Sequence, residues 1–352
     1  MLELLQAGAD VNASGLDPGY AQHALQTTSQ KGQEKIVQIL LDWGADVNAK
    51  GQPDGTALQA ASRWGHKKVA QMLLAAGADV NATCEGCYHG NALQAASYEW
   101  NDDDLVQMLL DAGADVNARG GHYGTALQAA SFKGIFNTVL SLIDGGADVN
   151  AQGGYLGNAL QAASVKGAWD IVELLIESGA DVSIQGGHFG NALQAASWPG
   201  CLLIVEILLD AGADVHTQGG EYGNALQVAS LLRHENIVRK FLGLGVDVNA
   251  TGGVYGTALQ AASYGGSVKI VQMLLAAGAR IETRGGEFDT AIQAASRQGW
   301  EDVVDILIRA GVDVNSQGGK HNTALQAASL SGNANVVQLL LAAGADATVQ
   351  RR

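Results

Sequence analysis

The chain has 352 residues and a formal net charge of −15. This acidic balance argues against a nucleic-acid-binding surface, which needs a clustered basic face, and against attachment to an anionic membrane. The partners it favours are basic peptides or basic protein surfaces, although the charge would also serve solubility.

Cysteine content and hydropathy limit the location of the protein. Three cysteines in a chain of this length do not make a disulfide framework, and they suit a reducing compartment. The first eight residues lack the basic region and long apolar core of a signal peptide, and no apolar stretch is long enough for a transmembrane helix. We therefore expect a cytosolic or nuclear protein.

One tripeptide sets the register of the whole chain. Ala-Leu-Gln recurs at intervals of 33, 35 and 34 residues and then of 33 residues six times, with a single Ala-Ile-Gln variant. The copies begin at Ala24, Ala57, Ala92, Ala126, Ala159, Ala192, Ala225, Ala258, Ala291 and Ala324. Such regularity leaves no room for an inserted globular domain and predicts a stack of repeats with one shared core.

Each unit contains the same predicted elements in the same order. A Thr or Asn such as Asn224 precedes a short helix rich in small residues, in the position where a side-chain oxygen caps a helix. A second helix follows with apolar residues at helical spacing, as at Ile36, Val37, Leu40 and Leu41. Then comes a glycine suited to end a helix, and a turn-rich Gly-Gly-x-Tyr-Gly stretch that predicts a projecting hairpin finger. The helix-ending glycines are Gly44, Gly77, Gly113, Gly146, Gly179, Gly212, Gly245, Gly278, Gly311 and Gly344.

Two helices and a finger in 33 residues, with Gly-Ala-Asp-Val-Asn between units, resemble the ankyrin-repeat family. Where that family usually reads Thr-Pro-Leu-His, this chain reads Asn/Thr-Ala-Leu-Gln followed by Ala-Ala-Ser, so we expect Gln to replace the hydrogen bond of the His. The variant looks like the ankyrin arrays of filamentous fungi, which are often carried behind a NACHT-type nucleotide-binding domain.

The resemblance implies an all-α fold, with a helix-turn-helix plus a hairpin finger in each repeat. We expect one continuous solenoid over 1–352, with ten repeats after an N-terminal half repeat at 1–13. The repeats would begin near residues 14, 49, 82, 118, 151, 184, 217, 250, 283 and 316. The half repeat and the unchanged pattern of the last helix suggest an array cut from a longer one.

Exposed side chains that vary between repeats are candidates for partner binding. One set lies at the finger tips: Tyr123, Leu156, Phe189, Tyr222, Tyr255 and Phe288, preceded by His122, Tyr155, His188, Glu221, Val254 and Glu287. A second set follows Ala-Ala-Ser: Trp64, Tyr98, Phe132, Trp198, Leu231 and Tyr264. Aromatic side chains often anchor interfaces, and in this family both sets would line the concave groove. The alternative is that each tip ring packs on the neighbouring finger and stiffens the row.

Two places break the period. Cys84-Glu-Gly-Cys87-Tyr-His89 lengthens one finger by two residues, and Trp100-Asn-Asp-Asp-Asp104 adds one residue between two helices. Two cysteines and a histidine suggest zinc, but four ligands are needed and no second pair exists, so plain loop elongation is the alternative. The acidic run at 102–104 is interpreted as a solvated turn, or as a contact for a basic partner.

No arrangement typical of catalysis is present in the sequence. The Gly-Gly-x-Tyr-Gly loops never continue into Gly-Lys-Ser/Thr, no Gly-x-Ser-x-Gly elbow occurs, and the serines recur in nearly every repeat. We expect a non-catalytic scaffold without metal or cofactor that binds a protein or peptide as a monomer. The alternative is the ligand-sensing arm of a larger NACHT-type receptor.

Overall fold

Pairs of helices repeat along the chain in the computed structural model, which describes residues 6–13, 23–99 and 103–348. In this described part, first helices of six to eight residues alternate with second helices of nine. The pairs are α1 Ala24–Gln30 and α2 Glu34–Asp42, α3 Ala57–Arg63 and α4 Lys67–Ala75, α5 Ala92–Glu99 and α6 Asp103–Asp111, α7 Ala126–Lys133 and α8 Phe136–Asp144, α9 Ala159–Lys166 and α10 Trp169–Glu177, α11 Ala192–Ser197 and α12 Leu202–Asp210, α13 Ala225–Leu231 and α14 Glu235–Gly243, α15 Ala258–Gly265 and α16 Val268–Ala276, α17 Ala291–Gln298 and α18 Glu301–Arg309, α19 Ala324–Leu330 and α20 Ala334–Ala342. The predicted all-α repeat fold is confirmed.

The chain divides into two units. Unit 1 is 1–181 and holds α1–α10, and unit 2 is 182–352 and holds α11–α20. Within a unit each first helix packs against the first helices of its neighbours, as α7 does against α5 and α9. None of the helices in the described residues has the length and apolar character needed to cross a bilayer.

Except for α1, which follows His23, first helices begin after a Thr or Asn whose side chain caps them, as predicted. The Oδ1 of Asn158 accepts from the backbone N–H of Gln161 at 2.8 Å, and Thr125 caps α7 in the same way through its hydroxyl. In the first helices before α19, the Leu or Ile, the Gln and the Ser of the Leu-Gln-x-x-Ser stretch are almost entirely buried, whereas in α19 Gln326 is half-buried and Ser329 is exposed. The small side chains of these helices let neighbouring first helices approach closely.

Second helices supply the larger apolar side chains of the core. In α10 the side chains of Ile171, Val172 and Leu175 are fully buried and share one face. All ten predicted glycines after these helices have φ between 76° and 92°, a left-handed conformation that ends a helix and that a Cβ would disfavour.

The glutamine of Ala-Leu-Gln joins consecutive repeats through its buried amide. The Nε2 of Gln128 donates to the carbonyl oxygens of Ala151 at 3.3 Å and Gly157 at 2.9 Å, both in the next finger. Its Oε1 accepts from the backbone N–H of Thr125 at 2.7 Å. Gln59, Gln94, Gln194, Gln227, Gln260 and Gln293 also donate to the following finger. The prediction that Gln makes hydrogen bonds at the position of the family's His is confirmed.

An Asp-Val-Asn ladder ties the turns after the second helices together. The Oδ1 of Asn117 accepts from the backbone N–H of Asp148 at 2.7 Å in the next turn, and its Nδ2 donates to the carbonyl of Gly146 at 3.1 Å. Asp115 in turn accepts from the N–H of Asn117 at 2.9 Å. The recurrence of this tripeptide therefore has a structural cause.

Apart from the inserted finger at 84–90, the fingers in the described residues are short antiparallel turns closed by one backbone bridge, such as Gly120–Gly124. Neighbouring fingers are also joined, because the N–H of Tyr155 donates to the carbonyl of His122 at 3.0 Å. Gly154, with φ of 62°, lies so close to the preceding finger that an added Cβ would stand 2.3 Å from the carbonyl of Tyr123. The predicted hairpin finger is confirmed.

Replacing Gln128 with Leu tests how much the amide contributes. The substitution removes the side-chain donor to the carbonyls of Ala151, Gly153 and Gly157 and the acceptor for the N–H of Thr125. The carbonyl of Gly157 keeps its bond from the N–H of Gly153, and we expect a loss of about 3 kcal/mol of unfolding free energy. Urea unfolding of the full chain, followed by circular dichroism, measures it. Gln107→Leu is the matched control, because Gln107 is exposed and bonds only to Asp111 at 2.8 Å. Equal losses in the two variants would contradict the role assigned to Gln128.

Candidate partner-binding face

Fingers and the C-terminal ends of first helices lie side by side in each unit, and we call the surface they form the finger face. In both units, aromatic rings at the ends of first helices contact aromatic rings of the fingers. In unit 1 the ring of Tyr98, at the end of α5, stacks on Tyr123 of the next finger at 4.7 Å. In unit 2 the ring of Tyr264, at the end of α15, lies 4.9 Å from Tyr255 and 5.1 Å from Phe288.

The side chains at the predicted finger tips are mostly buried. Tyr123, Phe189 and Phe288 are only 6%, 5% and 7% exposed, and Leu156 is equally buried. Tyr123 lies between Tyr98 and Phe132, the latter at 5.3 Å. Tyr222 and Tyr255 are half-buried. These rings contact the ends of first helices. Phe189 and Phe288 also stack on the neighbouring finger, 6.2 Å from Tyr222 and 6.0 Å from His321, which is the contact that the alternative interpretation described.

Residues of the second predicted set form the floor of the finger face. Tyr98, Phe132, Trp198, Leu231 and Tyr264 are half-buried, and Trp198 lies 5.4 Å from Phe189 and 5.0 Å from Tyr222. Trp64 differs, because it stands one residue beyond the equivalent position, which Arg63 occupies. Arg63 forms an ion pair with Asp54 of its own finger, whereas Trp64 is 42% exposed.

A row of stacked rings forms the outer edge of the face in unit 1. Tyr88 stacks on His122 at 5.2 Å and 12°, and His122 stacks on Tyr155 at 5.3 Å and 18°. Tyr88 and Tyr155 are 45% and 47% exposed. We call Tyr88, His122 and Tyr155 the outer ring row. Tyr88 was missed in the sequence because the two-residue insertion displaces it from the 33-residue register.

The same edge carries charged and polar side chains in unit 2. His188 lies 3.1 Å from the carboxylate of Glu221, and Lys320 lies 2.9 Å from that of Glu287. Val254 occupies the position between the two glutamates. The outer edge therefore differs in chemistry between the units, although both have an aromatic floor.

Tyrosine hydroxyls on the face are held in their neutral form. Tyr88 and Tyr123 share a hydrogen bond of 2.7 Å between their hydroxyl oxygens. Burial raises the pKa of Tyr123 well above its usual value, and the bond from Tyr88 adds to this shift. Burial likewise raises the pKa of Tyr255 to about 12, with Tyr264 as the next contributor. The face thus presents neutral phenols at physiological pH.

The inserted finger carries a disulfide between Cys84 and Cys87, which was not among the alternatives of zinc binding and plain loop elongation. Its four-residue turn brings the Cα atoms of Cys84 and Cys87 to 5.5 Å, and the two sulfur atoms are bonded. Cys201 is a free, half-buried thiol. Among the described residues no group of three His, Cys, Asp or Glu side chains is placed to hold a metal ion.

His89 takes the tip position in this finger and is 8% exposed. Neither ring nitrogen has a hydrogen-bond partner within the described part of the chain, and Nε2 lies 3.5 Å from the carboxylate of Glu99. The ring borders a cavity of about 10 Å³ with Asp54 and Arg63, a volume that suits one water molecule. Burial, followed by the nearby charge of Arg63, lowers the pKa of His89 to about 4.

Of the predicted acidic turn, residues 100–102 lie outside the described residues, as do residues 1–5 of the half repeat and residues 14–22 of the first full one. Asp103 and Asp104 begin α6 and make internal contacts. Asp103 accepts from the hydroxyl of Thr138 at 2.8 Å, and Asp104 pairs with Lys67 at 2.5 Å. These two carboxylates thus connect neighbouring repeats.

One family model, described as ankyrin repeats in three copies, matches residues 1–84, 87–186, 192–285 and 281–351. No curated protein matches the chain significantly.

Acidification tests the burial of His89. Its folded pKa of about 4 lies below the ordinary value of 6.5, so the folded state binds this proton less tightly than the unfolded state does. The contribution of neutral His89 to the free energy of unfolding is therefore complete above pH 6.5. It falls, by up to about 3 kcal/mol, as the pH decreases to 4. His89→Phe, which restores a ring of the usual type at this position, should remove that share of the loss.

Urea unfolding at pH 7 and pH 4.5 measures the difference. His122→Phe is the control, because His122 is exposed and its replacement should leave the wild-type pH dependence in place. If His89→Phe loses as much stability on acidification as the wild-type chain, the histidine is not buried in the neutral form.

Proposed function

Because the chain belongs to the ankyrin-repeat family, whose repeats generally act as protein–protein interaction scaffolds, we propose that it is a non-catalytic scaffold that binds a partner protein or peptide through its finger face. The proposal treats 1–352 as one continuous array in the cytosol or nucleus. No cofactor or metal has a part in it.

The observation that carries the proposal is the exposure of unlike side chains on one face. Positions that recur in every repeat, such as the Gln of Ala-Leu-Gln and the Ser that follows, are buried and serve stacking. The outer edge instead carries rings in unit 1 and charged residues in unit 2. On this face Tyr88, His122 and Tyr155 stack in one row, and aromatic side chains clustered in this way are typical of interaction sites.

Predicted site residues divide into two roles under this proposal. Tyr123, Phe189 and Phe288 hold the fingers in place, since their rings are buried. Trp64 and the half-buried Tyr98, Phe132, Trp198, Tyr222, Tyr255 and Tyr264 provide the surface that a partner contacts. The outer ring row joins them as a contact surface in unit 1.

A second candidate function is the ligand-sensing arm of a NACHT-type receptor. It is favoured by the Ala-Leu-Gln-Ala-Ala-Ser sequence of the first helices, which resembles the arrays carried by such receptors. The same face would bind the ligand, and a nucleotide-binding domain would perform the switching. A NACHT-type domain encoded upstream and in frame would favour this candidate over a free scaffold.

Matched pairs of exposed aromatic residues test the proposed face. The face variant is Trp64→Ala with Tyr155→Ala, at positions 42% and 47% exposed. The control is Trp43→Ala with Trp169→Ala, at the end of α2 and the start of α10, positions 43% and 49% exposed. Neither double variant removes a buried ring, so both should fold normally by circular dichroism.

Affinity capture from the source organism's lysate, followed by mass spectrometry, is the measurement. We expect the wild-type chain and the control to retain the same partner, and the face variant to retain at least tenfold less of it. This corresponds to a loss of about 1.4 kcal/mol or more in binding free energy. Equal capture by all three chains would contradict the assignment of the finger face.

A further inference from the structure

Unit 1 has an unequal distribution of charge over its surface. It carries 21 acidic and 9 basic residues, a net charge of −12. Fifteen of the acidic residues lie on second helices or in the Asp turns that follow them: Glu34, Asp42, Asp103, Asp104, Asp111, Asp144, Asp170, Glu173, Glu177, Asp10, Asp46, Asp79, Asp115, Asp148 and Asp181. The finger face has few carboxylates by comparison.

The basic residues of unit 1 show the opposite preference. Between residues 50 and 181, Arg63, Lys67 and Lys68 are engaged in ion pairs. Lys50, Arg119, Lys133 and Lys166 all lie on fingers or at the ends of first helices, all are exposed, and none is in an ion pair within the described residues. The unpaired cations of this stretch are thus confined to the finger face.

Three of these cations surround the aromatic surface. Arg119 lines the same surface depression as Tyr88 and His122. The ammonium group of Lys133 lies 4.8 Å from the ring centre of Tyr98. In the next repeat the side chain of Lys166 lies against Gly134, where an added Cβ would be 3.5 Å from its Cε.

Carboxylates of the face form no ion pair with this group within the described residues. Asp54 and Glu99 are directed to Arg63. Glu85 lines the depressions that hold Lys50 and Arg119, but it is in no ion pair with either residue in the described part of the chain. Arg119, Lys133 and Lys166 are therefore available to pair with the carboxylates of an acidic ligand, and such complementarity favours fast and specific association.

We propose that the partner bound by unit 1 is an acidic peptide segment. Its carboxylates pair with Arg119, Lys133 and Lys166, and its apolar or aromatic side chains lie on the outer ring row. This inference rests on the proposed function of the finger face. It replaces the basic partner expected from net charge, because the unpaired cations between residues 50 and 181 lie on the finger face, whereas most carboxylates of unit 1 lie on second helices and Asp turns.

A short acidic segment fits this surface better than a nucleic acid does. A peptide short enough to stay on the finger face meets its unpaired cations first, and salt weakens the effect of carboxylates farther away. A long polyanion would extend beyond the face and meet the carboxylates of the remaining surface. Single-stranded RNA, which could also stack on the outer ring row, is therefore the competing ligand that the experiment includes.

Selection from a random peptide library identifies the preferred charge even while the partner is unidentified. The full chain is the bait, and a displayed library of peptides about 16 residues long is the probe. We expect the enriched peptides to be net acidic, with Asp and Glu above their frequency in the library. The variant Arg119→Gln, Lys133→Gln, Lys166→Gln should bind an enriched peptide at least tenfold more weakly by fluorescence anisotropy.

The charge-matched control replaces three lysines away from the binding surface: Lys35→Gln, Lys67→Gln and Lys68→Gln. It removes the same number of positive charges from α2 and α4, and should bind the enriched peptide as the wild-type chain does. Enrichment of neutral or basic peptides, no enrichment, or equal weakening in both triple variants would each overturn the inference. So would tighter binding of a single-stranded RNA of about 16 nucleotides than of the acidic peptide.

Failure of this inference can be distinguished from failure of the proposed function. If the captured partner is lost from the Trp64→Ala, Tyr155→Ala variant but library peptides are not acidic, the face binds a partner of other chemistry. If that variant keeps the partner, the finger face itself is wrongly assigned.

Discussion

The buried amide of the Ala-Leu-Gln glutamine is the interaction on which the rest of the structure depends. Eight of these amides donate to carbonyl oxygens of the following finger, as Gln128 does to Gly157. In several of them, including Gln128, the amide oxygen also accepts from the backbone N–H that precedes its own first helix. Two groups 29 residues apart in the chain are thereby joined at 2.9 Å. At Gln194, Gln227 and Gln260 only the donor half is made within the described residues, and the link to the finger persists.

The position of the finger determines what the face can present. With the finger held against the next repeat, its tip ring lies between the ends of two first helices, as Tyr123 lies between Tyr98 and Phe132. The residue before the tip must then point outward, and backbone bonds between fingers bring these residues into line. In unit 1 this alignment produces the outer ring row. The hydrogen bond from the buried glutamine to the finger therefore also determines which side chains the finger face exposes to a partner.

Sequence periodicity was sufficient for features that each repeat specifies locally. Thr and Asn caps, the helix-ending glycines and the hydrogen-bonding role of Gln were all predictable, because each depends on residues at a constant spacing. Features that depend on contacts between repeats were not. The inward direction of Tyr123 follows from rings supplied by two helices, and Trp64 was assigned one residue away from the equivalent position, which Arg63 holds. The Cys84–Cys87 bond and the exposure of Tyr88 arise from an insertion that has no counterpart in other repeats.

The central claim is that recognition takes place on fingers and first-helix ends, while second helices and Asp turns hold the array together. Hydrogen–deuterium exchange of the full chain, free and saturated with its captured partner, tests this most directly. The account predicts that binding slows exchange in segments such as 119–124 and 131–134 and leaves α4, α6 and α8 unchanged. Slower exchange confined to those second helices, or to the Asp turns after them, would contradict it.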